Sequence, residues 1–295
     1  MRKSLLLAAV IGSFSLPAAV MADDAAPAAT PADAPTAHSH PEEKGTAPAT
    51  APAAEPASPH TFTYNIGLYS QYIFRGLTQT GRRPAIQGGV DYSHSSGLYA
   101  GTWGSNINWL EDSGNWHSGS LEWDIYGGFR NTIGETGIGY DVGLLNYVYP
   151  GTKTSAGDAN PGFVDPYTLE VYGALSYKWL QAKLSYSLTD TFGAKNSDGT
   201  YYAEANANIP IGETGLTANL HVGRQEFDGK VNSAGIDNKK LYSYTDWKIG
   251  LTKSWANGVN VGGYWTDTNA KDAGYTLVNH NIGDSTFTAF VQKTF

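Results

Sequence analysis

Seven acids and five bases recur on one phase of a two-residue alternation through residues 61–295: Asp91, Glu122, Asp124, Asp141, Glu170, Glu204 and Asp246 against Arg75, Arg130, Lys178, Lys183 and Lys248, with His221 on the same phase. Charges confined to one side of successive strands make a wet wall, and wall charges act on ions by attraction and exclusion. A slight excess of acids predicts a weak preference for cations. Asp124, Asp141, Glu204, His221 and Lys248 lie nearest the middle of their strands. These thirteen residues are the expected pore lining.

Other chemistry finds little support. The chain has no cysteine, which excludes a disulfide framework, a thiolate metal site and a thiol nucleophile. His94, His117, His221 and His280 could serve a hydrolase, with His117 near Glu111 and Asp112, but no Gly-x-Ser-x-Gly or His-Glu-x-x-His motif accompanies them. No catalytic residue, metal site or cofactor is expected. A net charge of −8 argues against a nucleic-acid partner. Charged residues make up 16% of the chain, against roughly 25% in soluble domains.

The elements that must carry the charges are strands, because side chains alternate across a strand. Tyr167, Leu169, Val171, Leu175, Tyr177 and Trp179 oppose Thr168, Glu170, Ser176 and Lys178; Trp247, Ile249 and Leu251 oppose Asp246 and Lys248. The first apolar face runs Phe62, Tyr64, Ile66, Leu68, Tyr72 and Phe74; the third runs Tyr99, Trp103, Ile107 and Trp109. About twelve strands result, an even number as in single-chain bacterial membrane barrels. Their connections alternate, short after even strands and longer after odd ones, of which Thr78–Arg83 is the shortest. The short connections use Ile-Gly-Glu-Thr-Gly twice, at 133–137 and 211–215, predicting one turn conformation used twice. Aromatic pairs such as Phe62 and Phe74, Tyr99 and Trp109, and Phe287 and Phe295 bracket a band of membrane height. The expected fold is all-β: a transmembrane antiparallel up-and-down barrel over residues 61–295. Trp103 and Trp247 are required on its outer wall; were their faces turned towards a packed interior, the case for a pore would collapse.

Two segments precede the barrel. Arg2 and Lys3, the apolar stretch Leu5–Leu16 and small residues before Asp23 read as a signal peptide over 1–22. Residues 23–60 hold 13 Ala and 8 Pro, a composition that cannot bury enough apolar surface to fold and predicts a disordered periplasmic tether. His38 and His40 within it are too isolated for a metal site.

The stretch Tyr69-Ser70-Gln71-Tyr72-Ile73-Phe74-Arg75-Gly76-Leu77-Thr78-Gln79-Thr80, with Pro84–Tyr92 and Ser96–Asn106 after it, resembles the opening signature of the TorF family of porin-like outer-membrane proteins. The resemblance implies an outer-membrane barrel with a porin-like role. It names no solute and supplies no catalytic residue. The final strand, ending on Phe295, resembles the signal read by the outer-membrane assembly machinery, with Lys293 departing from the usual apolar entry. Outer-membrane lipid and lipopolysaccharide are the expected surroundings, and peptidoglycan is an expected contact of the tether. The function expected is passive diffusion of small polar solutes. The competing expectation is an occluded barrel, with lumen charges paired across it, acting as an outer-membrane enzyme or a surface adhesion or structural protein.

Overall fold

A computed structural model of the chain describes residues 58–230 and 235–295. The leader expected over 1–22 and nearly all of the tether expected over 23–60 lie outside the described residues. Twelve antiparallel strands close into one barrel: β1 His60–Tyr69, β2 Ala85–His94, β3 Leu98–Asn106, β4 Leu121–Thr132, β5 Ile138–Val148, β6 Thr168–Tyr177, β7 Leu180–Ser187, β8 Tyr201–Ile211, β9 Leu216–Glu226, β10 Tyr244–Ser254, β11 Val259–Thr268 and β12 Thr286–Thr294. Each strand pairs with its sequence neighbours. The seam joins β1 to β12, from Asn65 opposite Thr294 to Tyr69 opposite Phe290. Closure leaves no strand edge, so every ladder can be satisfied within the wall.

The alternation sets which side of the wall is apolar. On β10, Trp247, Ile249 and Leu251 point outward and are exposed, while Asp246 and Thr252 are buried inside. β4 does the same, with Leu121, Trp123 and Ile125 exposed and Glu122 and Asp124 buried. This inverts a water-soluble domain, whose large apolar side chains turn inward. A continuous apolar belt of this extent suits hydrocarbon and not water. Among the described residues no helix is long and apolar enough to cross a membrane.

The five tight turns, at 95–97, 133–137, 178–179, 212–215 and 255–258, share one end with the entry of the chain at His60 and its exit at Phe295. The six longer connections share the other. The two Ile-Gly-Glu-Thr-Gly turns are the same object: Thr136 Oγ1 donates to Ile133 O at 2.6 Å, and Thr214 Oγ1 donates to Ile211 O at 2.6 Å. Their first glycines have φ 51° and 56°, a left-handed backbone that glycine enters without steric cost.

Two strand expectations are corrected. β1 ends at Tyr69, and Tyr72 and Phe74 are buried inside the barrel instead of extending its outer face. β3 has the opposite phase: Leu98 and Ala100 point outward, whereas Tyr99 and Trp103 point in. Register forces this, since Trp103 lies opposite Asp124 and opposed residues share a face. The inner wall makes room for such rings with glycine. A side-chain carbon on Gly128 would stand 2.6 Å from the Tyr99 hydroxyl, and one on Gly143 would stand 2.5 Å from the Tyr172 hydroxyl. Trp247 takes the expected outer position, but Trp103 packs against Tyr72 in the interior, so the requirement set on the two tryptophans holds for Trp247 and fails for Trp103.

Candidate pore and its inner hairpin

The connection 70–84 turns back into the cylinder. Ile73–Phe74 pairs with Leu77–Thr78 as a miniature hairpin, and Arg75 (φ 46°) and Gly76 (φ 80°) form its two-residue turn. Positive φ at both central residues is the geometry that suits a two-residue hairpin and favours glycine there. The turn also presses against the wall: a side-chain carbon on Gly76 would lie 2.5 Å from Thr268 Cγ2 and 2.6 Å from Asp246 Cβ. Backbone bonds anchor the hairpin to other connections, with Thr78 N donating to Ile282 O at 2.8 Å and Asn108 N donating to Gln79 O at 2.8 Å.

From this turn Arg75 crosses to the far wall. Its Nη2 donates to both Glu170 carboxylate oxygens on β6 at 3.0 and 2.8 Å, and Nη1 donates to Gln225 Oε1 on β9 at 2.8 Å. The guanidinium lies 4.8 Å from the Phe74 ring centroid and 4.3 Å from that of Tyr202. The Tyr147 hydroxyl also donates to Glu170, at 3.3 Å. On a third wall the Tyr72 hydroxyl donates to Glu122 Oε1 at 2.8 Å. Asp124, wholly buried beside these groups, has no hydrogen-bond partner at either oxygen among the described residues.

Below the hairpin, β7–β10 carry a polar network around a cavity of about 40 Å³. His221 Nε2 lies 2.9 Å from Asp246 Oδ1, its Nδ1 lies 2.7 Å from Asn206 Oδ1, and Lys183 stands opposite Glu204. On the facing strands the Tyr99 hydroxyl donates to Asp141 at 2.6 Å and the Tyr126 hydroxyl donates to Asp91 at 2.6 Å. Arg130 and Lys183 sit over the Tyr99 and Tyr172 rings, at 4.2 and 4.6 Å.

Asp91, Glu122, Asp124, Arg130, Asp141, Glu170, Lys183, Glu204, His221, Asp246 and Lys248 therefore lie on inward positions of wall strands. Two expected residues do not. Lys178 occupies the turn between β6 and β7 at φ 55° and is exposed, because the two-residue connection leaves it no strand position. Arg75 is inside the barrel, but on the inserted hairpin and not on a strand. Losing Lys178 leaves seven acids facing four bases, since the expected bases were five.

Above the hairpin all six long connections converge on a second cavity of about 280 Å³, which strand periodicity alone did not reveal. Burial holds the Tyr275 hydroxyl there well above the usual phenol range, so it remains a neutral donor to Tyr242 O at 2.5 Å.

Residues 53–295 match a family described as "Bacterial protein of unknown function (Gcw_chp)". No curated protein matches the chain. Similar solved structures include the KdgM porin in complex with disordered oligogalacturonate, at 7% identity and TM-score 0.44, covering 79% of this chain and 98% of that one. The outer membrane protein OprD from Pseudomonas aeruginosa is 15% identical at TM-score 0.34, covering 79% of this chain and 65% of that one. A mutant of the Rh. blastica porin is 14% identical at TM-score 0.35, covering 71% of this chain and 55% of that one. The chain thus spans nearly the full length of the first and little more than half of the last.

Proposed function

The chain belongs to the Gcw_chp family of bacterial proteins of unknown function, and from that premise we propose that it is a porin-like outer-membrane channel for passive diffusion of small polar solutes, with a weak preference for cations. One observation carries the reading: a closed cylinder whose outer wall is apolar and whose inner wall bears ionisable side chains. An apolar belt makes lipid its solvent, and a charged bore is of use to solutes that lipid excludes. The excess of inner acids over inner bases supports cation preference.

The remaining parts of the reading fit this placement. The leader expected over 1–22 would export the chain, and the final strand would be recognised by the assembly machinery. The tight turns, sharing an end with the entry of the chain, would face the periplasm, where the 23–60 tether could reach peptidoglycan. The long connections would then face outward among lipopolysaccharide. The TorF-like signature supports the same role, and part of it, Ile73–Thr78, forms the inner hairpin. In this reading the hairpin is the constriction, and solute passes where it yields.

A second reading is favoured by that same hairpin. Its contacts with opposite walls, through Arg75, Tyr72 and Gly76, suit an occluded barrel with a structural or adhesive role at the surface. Refolded protein in planar bilayers separates the two. The channel reading expects stepwise conductance and a reversal potential of cationic sign under a salt gradient. A tight barrel, shown by different gel mobility before and after boiling, that never conducts would favour occlusion.

A further inference from the structure

We propose that the cavity at the loop end is a binding site for a neutral, ring-bearing, hydroxylated solute of the pyranose type. Each of the six long connections contributes to its wall, through Leu77, Trp109, Tyr149, Phe192, Phe227 and Tyr275 among others. Nine of the 21 residues lining it are aromatic, and several of these rings are braced edge to face. Trp109 and Tyr149 have centroids 5.7 Å apart at 84°, Tyr244 and Tyr275 5.2 Å apart at 78°, and Tyr242 and Tyr275 6.1 Å apart at 81°. Such interlocked rings present fixed apolar faces, which suit the flat C–H faces of a saturated ring.

The polar part of the lining is amide and hydroxyl. Asn160 donates to Asn115 Oδ1 at 3.2 Å, and Gln79 donates to Leu77 O at 3.0 Å. Among the described residues, nothing takes a hydrogen bond from the Asn115 amide NH₂ or gives one to the Gln79 side-chain carbonyl. One donor and one acceptor therefore point to a solute that both accepts and donates, as a hydroxyl does. No residue lining the cavity carries a charge. An ionic solute would shed water there without a countercharge, and a purely apolar one would cover the amides without replacing their hydrogen bonds. Both are disfavoured relative to a neutral polyol ring.

The test uses the full chain, refolded in a detergent without a sugar headgroup, and reads binding by saturation-transfer NMR and calorimetry. The neutral probes are glucose and maltose, the charged counterparts glucuronate and glucosamine, and the apolar probe indole. Saturable binding of a neutral sugar is expected, with charged counterparts weaker by about tenfold or more. Tyr149→Ala and Tyr275→Ala should each weaken it by about tenfold, while Tyr275→Phe retains most of it. Boiled and unboiled gel mobility verifies that each variant folds. No saturable binding of either neutral sugar, equal binding of the charged ones, or binding of indole alone would overturn the proposal. Because the readout is binding, a barrel that binds but never conducts would refute the channel and leave this site standing, and the converse holds.

Discussion

Arg75 and Glu170, 95 positions apart in sequence, meet inside the cylinder with the guanidinium Nη2 at 3.0 and 2.8 Å from the two carboxylate oxygens. Both side chains are almost fully buried. A buried pair of this kind can add little net stability while intact, because each ion gave up its hydration; removing one partner strands the other. The pair therefore behaves as a clasp whose breakage is far more costly than its absence would be.

Arg75→Ala is expected to release the hairpin from the far wall and leave Glu170 unpaired. Stability in vesicles, followed by urea unfolding, should fall by about 3–5 kcal/mol. Conductance in planar bilayers should rise several-fold, because the turn no longer bridges to β6 and β9. Arg75→Ala with Glu170→Gln should recover part of the stability without restoring the constriction. An Arg75→Ala barrel with unchanged conductance would show that the current, if any, flows elsewhere.

Gly76→Ala tests the same clasp from the backbone. An alanine at φ 80° is strained by about 1–2 kcal/mol, and its methyl would meet Thr268 and Asp246. The turn should lift from the β10–β11 wall, and limited proteolysis of folded protein should newly cleave between Tyr72 and Thr80. Equal resistance to proteolysis in the variant and the wild type would mean that the wall accommodates the methyl.

How much of this was legible in sequence follows from what each strand faces. On β6 to β10 the inner positions are mostly polar or charged, with Tyr172, Tyr202 and Tyr244 as the inward rings, so alternation assigned Glu170, Lys183, Glu204, His221 and Asp246 to their observed side. On β3 the rule failed because the inner wall itself uses aromatics: Tyr99 and Trp103 look like lipid-facing residues, while Ala100 and Thr102 on the true outer face look neutral. Only their register with Asp91 and Asp124 on the flanking strands decides the matter. The hairpin was hidden for a related reason. Tyr72 and Phe74 continue the phase of Leu68 across the break at Ser70-Gln71, so one long strand was the simpler pattern. The Arg-Gly pair flanked by apolar residues was the available signal of a two-residue turn. The loop-end cavity leaves no periodic trace, since its walls come from six separate connections.

Selectivity should follow the inner acids. Asp141 and Glu204 are only partly buried and occupy inward positions of β5 and β8. Neutralising both, as Asp141→Asn with Glu204→Gln, removes negative charge that concentrates cations. The reversal potential under a tenfold salt gradient should move toward zero or change sign, and Lys183→Gln should move it the other way. A shift of the same sign from both variants would show that these side chains do not set permeation.

The two tryptophans on which the wall assignment turned can be read directly. Trp247 is exposed on the outer face of β10, between Asp246 and Lys248 inside, whereas the Trp103 ring packs 5.5 Å from that of Tyr72 in the lumen. Lipids brominated along the acyl chain quench a tryptophan they touch and spare one behind the wall. Trp247→Phe should therefore lower the quenchable fraction of fluorescence, while Trp103→Phe should raise it by removing a protected emitter. The two substitutions change fluorescence in opposite senses only if the sheet closes with lipid on one side and the hairpin on the other. Were both to lower the quenchable fraction, β3 would have to be turned about its axis. Asp124 and Asp91, which share its inner face by register, would then need another account of their burial.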